Sequence, residues 1–483
     1  MKKIFLFCLT VLAILVLSGC SKEERTAKVS TRDEFLEAVK NSAPMVLTAD
    51  IDFEGYVWEP ISAKCDINGN GHTLKNIRYV AATGDNIGLF SNEERLSISN
   101  INFENLYIAY YGKGSNVGGI VGRWAGEKGL YLENIKISGN IYAPGASCVG
   151  GCIGYIGDKG SGYSKNIKNI TTDVDVFAKD NVGGLVGRIG YYENLDSLFD
   201  KIMGNSGTKV PEIEFEIENI ENYGDIEAKT THAGGVFGAI YTREGEISNC
   251  KNYGSITAQE FIGGIGGRIY TPSINKAENH GVVKSSADNS DSDCYIGGIS
   301  GILQTTAPSS ELQNYIDISC KGNYVGGIAG FLSADTQLNE SKNTGKIVGT
   351  KYAGGITGGA GDSSQLIKCT NSGEISAHES AGGLCGISVN TFISRCENSG
   401  PVQAVNNAGG LVGYYTVSDT DAEGAVVYST NSGKVTATNS ESGYSAGIVG
   451  STDAKKLEDI DTNTQNGQVS GGKSDQLVNY VSE

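Results

Sequence analysis

The chain has 483 residues, with 55 acidic against 38 basic side chains, a formal charge of −17, and 68 glycines. A chain this acidic, with no stripe of Lys and Arg along it, cannot neutralise a run of phosphates, which excludes nucleic acid as a partner. Length alone would allow two or three globular domains, but the glycines recur with a period, and a solenoid grows by adding units rather than domains.

At the start, Lys2 and Lys3 precede an apolar run from Ile4 to Leu17, followed by Leu17-Ser18-Gly19-Cys20. This stretch resembles a bacterial lipoprotein signal peptide, which implies that residues 1–19 are removed and that Cys20 carries the lipid, palmitate included. Residues 20–30 then read as lipid anchor and tether. Ser21-Lys22-Glu23-Glu24 resembles the lysine-plus-acidic tract that some Gram-negative outer-membrane lipoproteins use for display at the cell surface. Loss of Lys2 and Lys3 takes the charge to −19. No second apolar stretch of about 18 residues follows, so the Cys20 lipid is the expected attachment to the membrane.

Residues 31–85 read as a cap and opening rungs. Thr31-Arg32-Asp33-Glu34 fits a capping box, and Phe35, Leu36, Ala38 and Val39 follow at helical spacing, predicting a short helix that covers the open end of a β-stack. Next come strand-like runs at 46–53, 58–61 and 66–74, separated by Gly and Asn turns, which resemble the opening rungs of pectin-lyase-like β-helix proteins. His72 sits in one of these turns, where a structural role is expected.

From residue 86 to 470 a Gly-Gly-aliphatic-x-Gly box recurs in ten clear copies, with its first glycine at Gly118, Gly150, Gly183, Gly234, Gly263, Gly297, Gly326, Gly354, Gly382 and Gly409. The underlying period is near 28 residues, and longer gaps mark insertions. Each unit also carries an Asn-x-Gly-x-Ile/Val run, as at Asn222, Asn252, Asn279, Asn343, Asn371, Asn398 and Asn431. Three short strands per period predict an all-β fold: a parallel β-helix of about twelve coils and three sheets, right-handed because parallel crossovers nearly always are. Residues 471–483 are left as a C-terminal tail or cap.

Within the box, position +2 is aliphatic from Ile120 to Leu411 and is assigned to the interior, whereas position +5 should face solvent. That row holds Arg123, Tyr155, Arg188, Arg268, Phe331 and Tyr414. Arginines and aromatics in a row suit a glycan or an anionic sugar; the same row also suits an ordinary exposed sheet edge. Insertions at Tyr191–Glu218 and Tyr415–Val427 follow the box, those at Ser285–Asp293 and Thr438–Ser445 precede it, and Tyr191, Tyr192 and Tyr415 are candidate loop contacts. Of the eleven cysteines, Cys8 leaves with the signal and Cys20 is lipidated, leaving nine. An odd number argues against a full disulfide framework, and Cys250, Cys369 and Cys396 share a column with Ile220, Ala277, Ser341 and Ser429, where small buried side chains and free thiols are expected.

The boxes, followed by Cys/Ser-x-Asn-x-Gly-x-Ile, resemble the GLUG-motif repeats of bacterial surface proteins. That resemblance implies a surface scaffold, found elsewhere beside immunoglobulin A-cleaving metallopeptidases and in adhesin-like proteins. His-Glu-x-x-His is absent: none of His72, His232, His280 and His378 has a histidine four residues away. The box also lacks the Asp of calcium-binding nonapeptide repeats. No metal, cofactor or catalytic residue is therefore assigned. The expected function is binding of a host or dietary glycan, or of a surface or matrix protein. The alternative is a polysaccharide lyase or glycoside hydrolase acting on an acidic glycan, for which Asp173 with Asp175, Asp288, Asp291 and Asp293, and Asp50 with Asp52 are the available acids.

Overall fold

The computed structural model describes residues 26–91, 95–125, 129–157, 165–191, 210–287, 294–417, 424–454, 457–475 and 477–480. The signal segment, Cys20, Tyr192, Asp288, Asp291 and Asp293 lie outside the described residues. The described part is a parallel β-solenoid of about twelve turns, with one α-helix at its N-terminal end. Strands pair with their equivalents one period away: Gly354 lies between Gly326 and Gly382, and Asn371 between Asn343 and Asn398. The ladders build sheets of 27, 13 and 12 strands. A separate six-stranded sheet forms from Ile318–Ser319 onward, where the strand that starts at the Ile or Val of the Asn-x-Gly-x-Ile/Val run parts from the largest sheet, in which the asparagine strand stays.

The helix spans Arg32–Lys40 with both halves of the capping box formed, and it buries Phe35, Ala38 and Val39. Phe35 starts an edge-to-face chain through Phe53 and Trp58 to Phe90, with centroids 5.9, 5.3 and 6.4 Å apart. These rings plug the end of the stack, and the Trp58 indole N–H donates to the Leu89 carbonyl at 3.1 Å. Ala27–Val29 already pairs with Met45–Leu47, so the first strand lies inside the stretch read as tether. Lys473–Asp475 and Val478–Tyr480 likewise add a rung inside the expected tail.

The glycine box is a corner rather than one strand. In one coil a strand ends at Tyr352–Gly354 and the next begins at Thr357–Ala360. Both +2 and +3 then point inward, so Ile356 and Thr357 are each fully buried. Backbone crowding demands the glycines: a Cβ on Gly354 would stand 2.0 Å from the Thr357 carbonyl oxygen, and one on Gly358 2.4 Å from the Val325 nitrogen. The second glycine has a different neighbour. In eight coils, from Gly184 to Gly410, a Cβ there would come within 2.2–2.5 Å of a buried asparagine side chain.

Those asparagines form an internal amide ladder. Asn222, Asn252, Asn279, Asn314, Asn343, Asn371, Asn398 and Asn431 each donate Nδ2–H to the Oδ1 of the next, at 2.8–3.1 Å, until Gln465 ends the series. Each also donates to the carbonyl two residues on, as Asn371 does to Gly373 at 2.9 Å. Burying an amide this deeply is tolerable because its hydrogen-bonding capacity is met within the ladder. The two sequence motifs recur together because one is packed on the other. The nine described cysteines are free thiols, eight of them buried, and burial pushes Cys65 and Cys148 up to about 11.

Candidate functional site

The +5 side chains do form one column on the outside of the solenoid. Arg123 pairs with Tyr155, Tyr155 with Arg188, and the column continues through Ala239, Arg268, Ile302, Phe331, Gly359 and Ile387 to Tyr414. Arg123 and Arg188 sandwich the Tyr155 ring, their guanidinium carbons 5.9 and 5.1 Å from its centroid. Burial pushes the Tyr155 phenol up, with Arg188 opposing it.

A second column, two residues before the box, folds over the same corner and half-covers the first. It carries His232, Phe261, Tyr295, Tyr324 and Tyr352, whose rings follow one another at 4.8, 5.4, 5.0 and 5.1 Å. Phe331 stands edge-on to Tyr295 and Tyr324. Arg268 lies against Tyr241 and Phe261 and is only 3 % exposed, which corrects its expected place on an open face. Period-2 alternation assigns the direction of a side chain but is blind to a neighbouring column across a bend. Arg123, Tyr155, Arg188 and Tyr414 remain half-buried, and Tyr414 donates to Asp453 at 3.3 Å.

Of the loop candidates, Tyr191 is exposed. Tyr415 is corrected: it belongs to the strand Val412–Thr416, points into the core, and donates its hydroxyl to the Thr391 carbonyl at 3.0 Å. Adjacent residues on a strand face opposite ways, so Tyr414 and Tyr415 cannot both be surface contacts. The insertion after Tyr191 ends earlier than expected, because Phe215–Asn222 is already in register with Lys165–Thr172.

The acids separate. Asp50 accepts from the Thr73 amide at 3.1 Å and faces Lys75 at 3.2 Å and His72 at 3.3 Å; the first two of these hold its carboxyl below the usual range, and His72 is a turn clamp. Asp52 takes the Asn76 amide at 2.8 Å. Asp175 accepts from the Asp225 amide at 2.9 Å and closes the turn of the next coil. Asp173 alone reaches an open groove, of about 380 Å³, which it lines with Lys136, Thr171, Glu104 and Tyr223. Among the described residues no three His, Cys, Asp or Glu side chains are gathered to hold a metal ion.

Tyr223 leads a feature that the sequence reading passed over. Tyr223, Tyr253, His280 and Tyr315 each follow a ladder asparagine and stack in register on the exterior, with centroids 4.7, 5.0 and 4.5 Å apart and planes within 11° of parallel. Tyr223, Tyr253 and Tyr315 are 46, 38 and 39 % exposed. Polar neighbours fix them. His280 Nε2 lies 3.0 Å from Glu278, Lys251 pairs with Glu278 at 3.3 Å, and the Tyr315 hydroxyl donates to Gln313 at 2.5 Å. Burial pushes the Glu278 carboxyl up, but His280 and Lys251 outweigh it and leave it below the usual carboxylate range.

Together these features describe a rigid parallel β-solenoid whose distinctive chemistry lies on its outer surface. Residues 26–178, about a third of the chain, match the family described as a pectate lyase-like adhesive domain. An 81-residue stretch is 36 % identical to halomucin of Haloquadratum walsbyi; it covers 16 % of this chain, and the chain spans 1 % of that protein's length. A solved structure from Bacteroides ovatus, assigned as an immunoglobulin A1 protease, aligns over 77 % of this chain and 85 % of its own, at 16 % identity and a TM-score of 0.31. The family match and the halomucin stretch fit an adhesin-like β-helix exposed at a cell surface.

Proposed function

We propose that this chain is a lipid-anchored, adhesin-like β-helix, displayed on the outer membrane of a Gram-negative cell through Cys20, whose exterior aromatic and arginine columns contact glycans of host or dietary origin. The observation that carries the reading is the exposed stack of Tyr223, Tyr253, His280 and Tyr315, aromatic surface kept in water on a rigid frame. Exposed contiguous aromatic surface marks recognition, because burial would otherwise be favoured. The adhesive-domain match over 26–178 supports display and contact rather than catalysis.

The full chain, probed on an array of glycans and extracellular-matrix proteins, is expected to bind glycans, with the signal reduced when all four rings are replaced by Ala. Palmitate labelling should vanish on Cys20→Ala. Depolymerisation of an acidic polysaccharide, abolished by Asp173→Asn, would overturn the binding reading in favour of a lyase or hydrolase.

A further inference from the structure

Four rings stacked face to face show solvent only their edges, except at the two ends of the stack. At the C-terminal end Tyr315 is followed in its column by the short Thr344. At the N-terminal end the register places Asp173, not another ring, one coil before Tyr223, and Tyr223 lines the groove of about 380 Å³. Two independent features, an unstacked aromatic face and a polar groove, therefore coincide.

We propose that this groove is a subsite for one neutral pyranose unit of a glycan chain, its ring lying on the free face of Tyr223 and its hydroxyls bonded by Asp173, Lys136 and Thr171. The proposal rests on the glycan-contacting reading above and deepens it. A pyranose offers a C–H face that packs on an aromatic plate, and a rim of hydroxyls that both donate and accept. The lining matches that rim: Asp173 and Glu104 accept, Lys136 donates, and Thr73, Asn102 and Thr171 do both. Thr73, Asn102, Lys136 and Thr171 also stand in one register column, so polar groups recur about every 4.8 Å along the groove, suited to a chain rather than an isolated sugar. Charge selects the class. Two carboxylates around one ammonium, in a chain of formal charge −17, repel a polyanion but not a neutral sugar. The groove is open, so it reads one unit of a polymer instead of enclosing a small molecule.

The test is titration calorimetry of the full chain with cellohexaose, mannohexaose and xylohexaose, with a galacturonate hexamer as the acidic arm. At least one neutral hexasaccharide is expected to bind. Tyr223→Ala and Asp173→Asn should each weaken it about tenfold, while Tyr428→Ala, which removes an exposed ring outside both the stack and the groove, leaves the Kd within about twofold. Unchanged melting curves show that the variants fold. Glycan binding that is indifferent to Tyr223 and Asp173 overturns the subsite and leaves the wider reading standing. Tighter binding of the galacturonate hexamer, lost in Lys136→Ala, overturns the neutral assignment. A chain that binds matrix protein and no glycan on the array overturns both.

Discussion

Asn252 and Tyr253 are neighbours in the chain and opposites in the structure. Asn252 belongs to the interior amide ladder, which runs coil after coil from Asn222 to Gln465; Tyr253 belongs to the exterior ring ladder, which begins at Tyr223 and stops at Tyr315. Both repeat at one period, and both are in register. The difference is extent. The amide ladder, once begun, is kept for as long as the coils continue, whereas the ring column ends after four coils while the stack goes on, and so answers to something outside the stack. Local repetition within global repetition is therefore the signal of a surface put to use.

The contrast breaks most easily from the inside. Replacing Asn371 with Leu removes its bonds to Asn398 and Gly373 and leaves one of the two Asn343 Nδ2–H groups without an acceptor inside the core, the other keeping the Gly345 carbonyl. Each stranded buried group costs about 1–3 kcal/mol, so a total loss of about 4 kcal/mol is expected. Denaturant unfolding should show it, and hydrogen exchange should place it in the coils from 343 to 398, because solenoid units couple chiefly to their neighbours.

Gly355→Ala attacks the same ladder from the other side. The new Cβ would stand 2.3 Å from the Asn371 side chain and 2.2 Å from the Gly383 carbonyl oxygen, both of them packed and unable to withdraw. A loss of about 2 kcal/mol is expected, in the range of core overpacking. If Gly355→Ala melts like the native chain, the packing of box on ladder is not what makes the second glycine necessary.

Tyr253→Ala should behave differently. It removes two stacking contacts from an exposed column, at a cost of about 1 kcal/mol, and leaves the interior ladder untouched. A stability loss as large as that of Asn371→Leu would erase the distinction between the two ladders and make the rings structural.

What the repeat or a local motif signals is legible in the sequence: the 28-residue period, the inward +2 column from Ile120 to Leu411, the capped helix over Arg32–Lys40, and thiols standing as small apolar side chains. What depends on a neighbouring coil or corner is not. Asn314 lacks the glycine of its motif and so fell outside the pattern, taking Tyr315 with it, and His280 was weighed only as a metal ligand. Aligning the units on the asparagine instead of the glycine would have brought the four rings into one column. Arg268 is misplaced for a related reason, since the box turns a corner where a single alternating strand is assumed, and Tyr415 because the strand Val412–Thr416 runs on into the stretch read as insertion.

The smallest effect tests whether the exterior ladder carries its own electrostatics. The interior ladder has no group that titrates between pH 3 and 7, whereas the exterior one is braced by Glu278, which ties His280 and Lys251. Because its folded carboxyl lies below the reference value of 4.5, its stabilisation is fully present above 4.5 and is lost as pH falls through the folded value. Glu278→Gln should therefore be less stable than the native chain at pH 7, by about 0.5 kcal/mol for a partly exposed pair, and the two curves should converge toward pH 3. A gap that persists at low pH would assign the role of Glu278 to packing instead of charge, and the ring ladder would then be held by stacking where the amide ladder beneath it is held by hydrogen bonds.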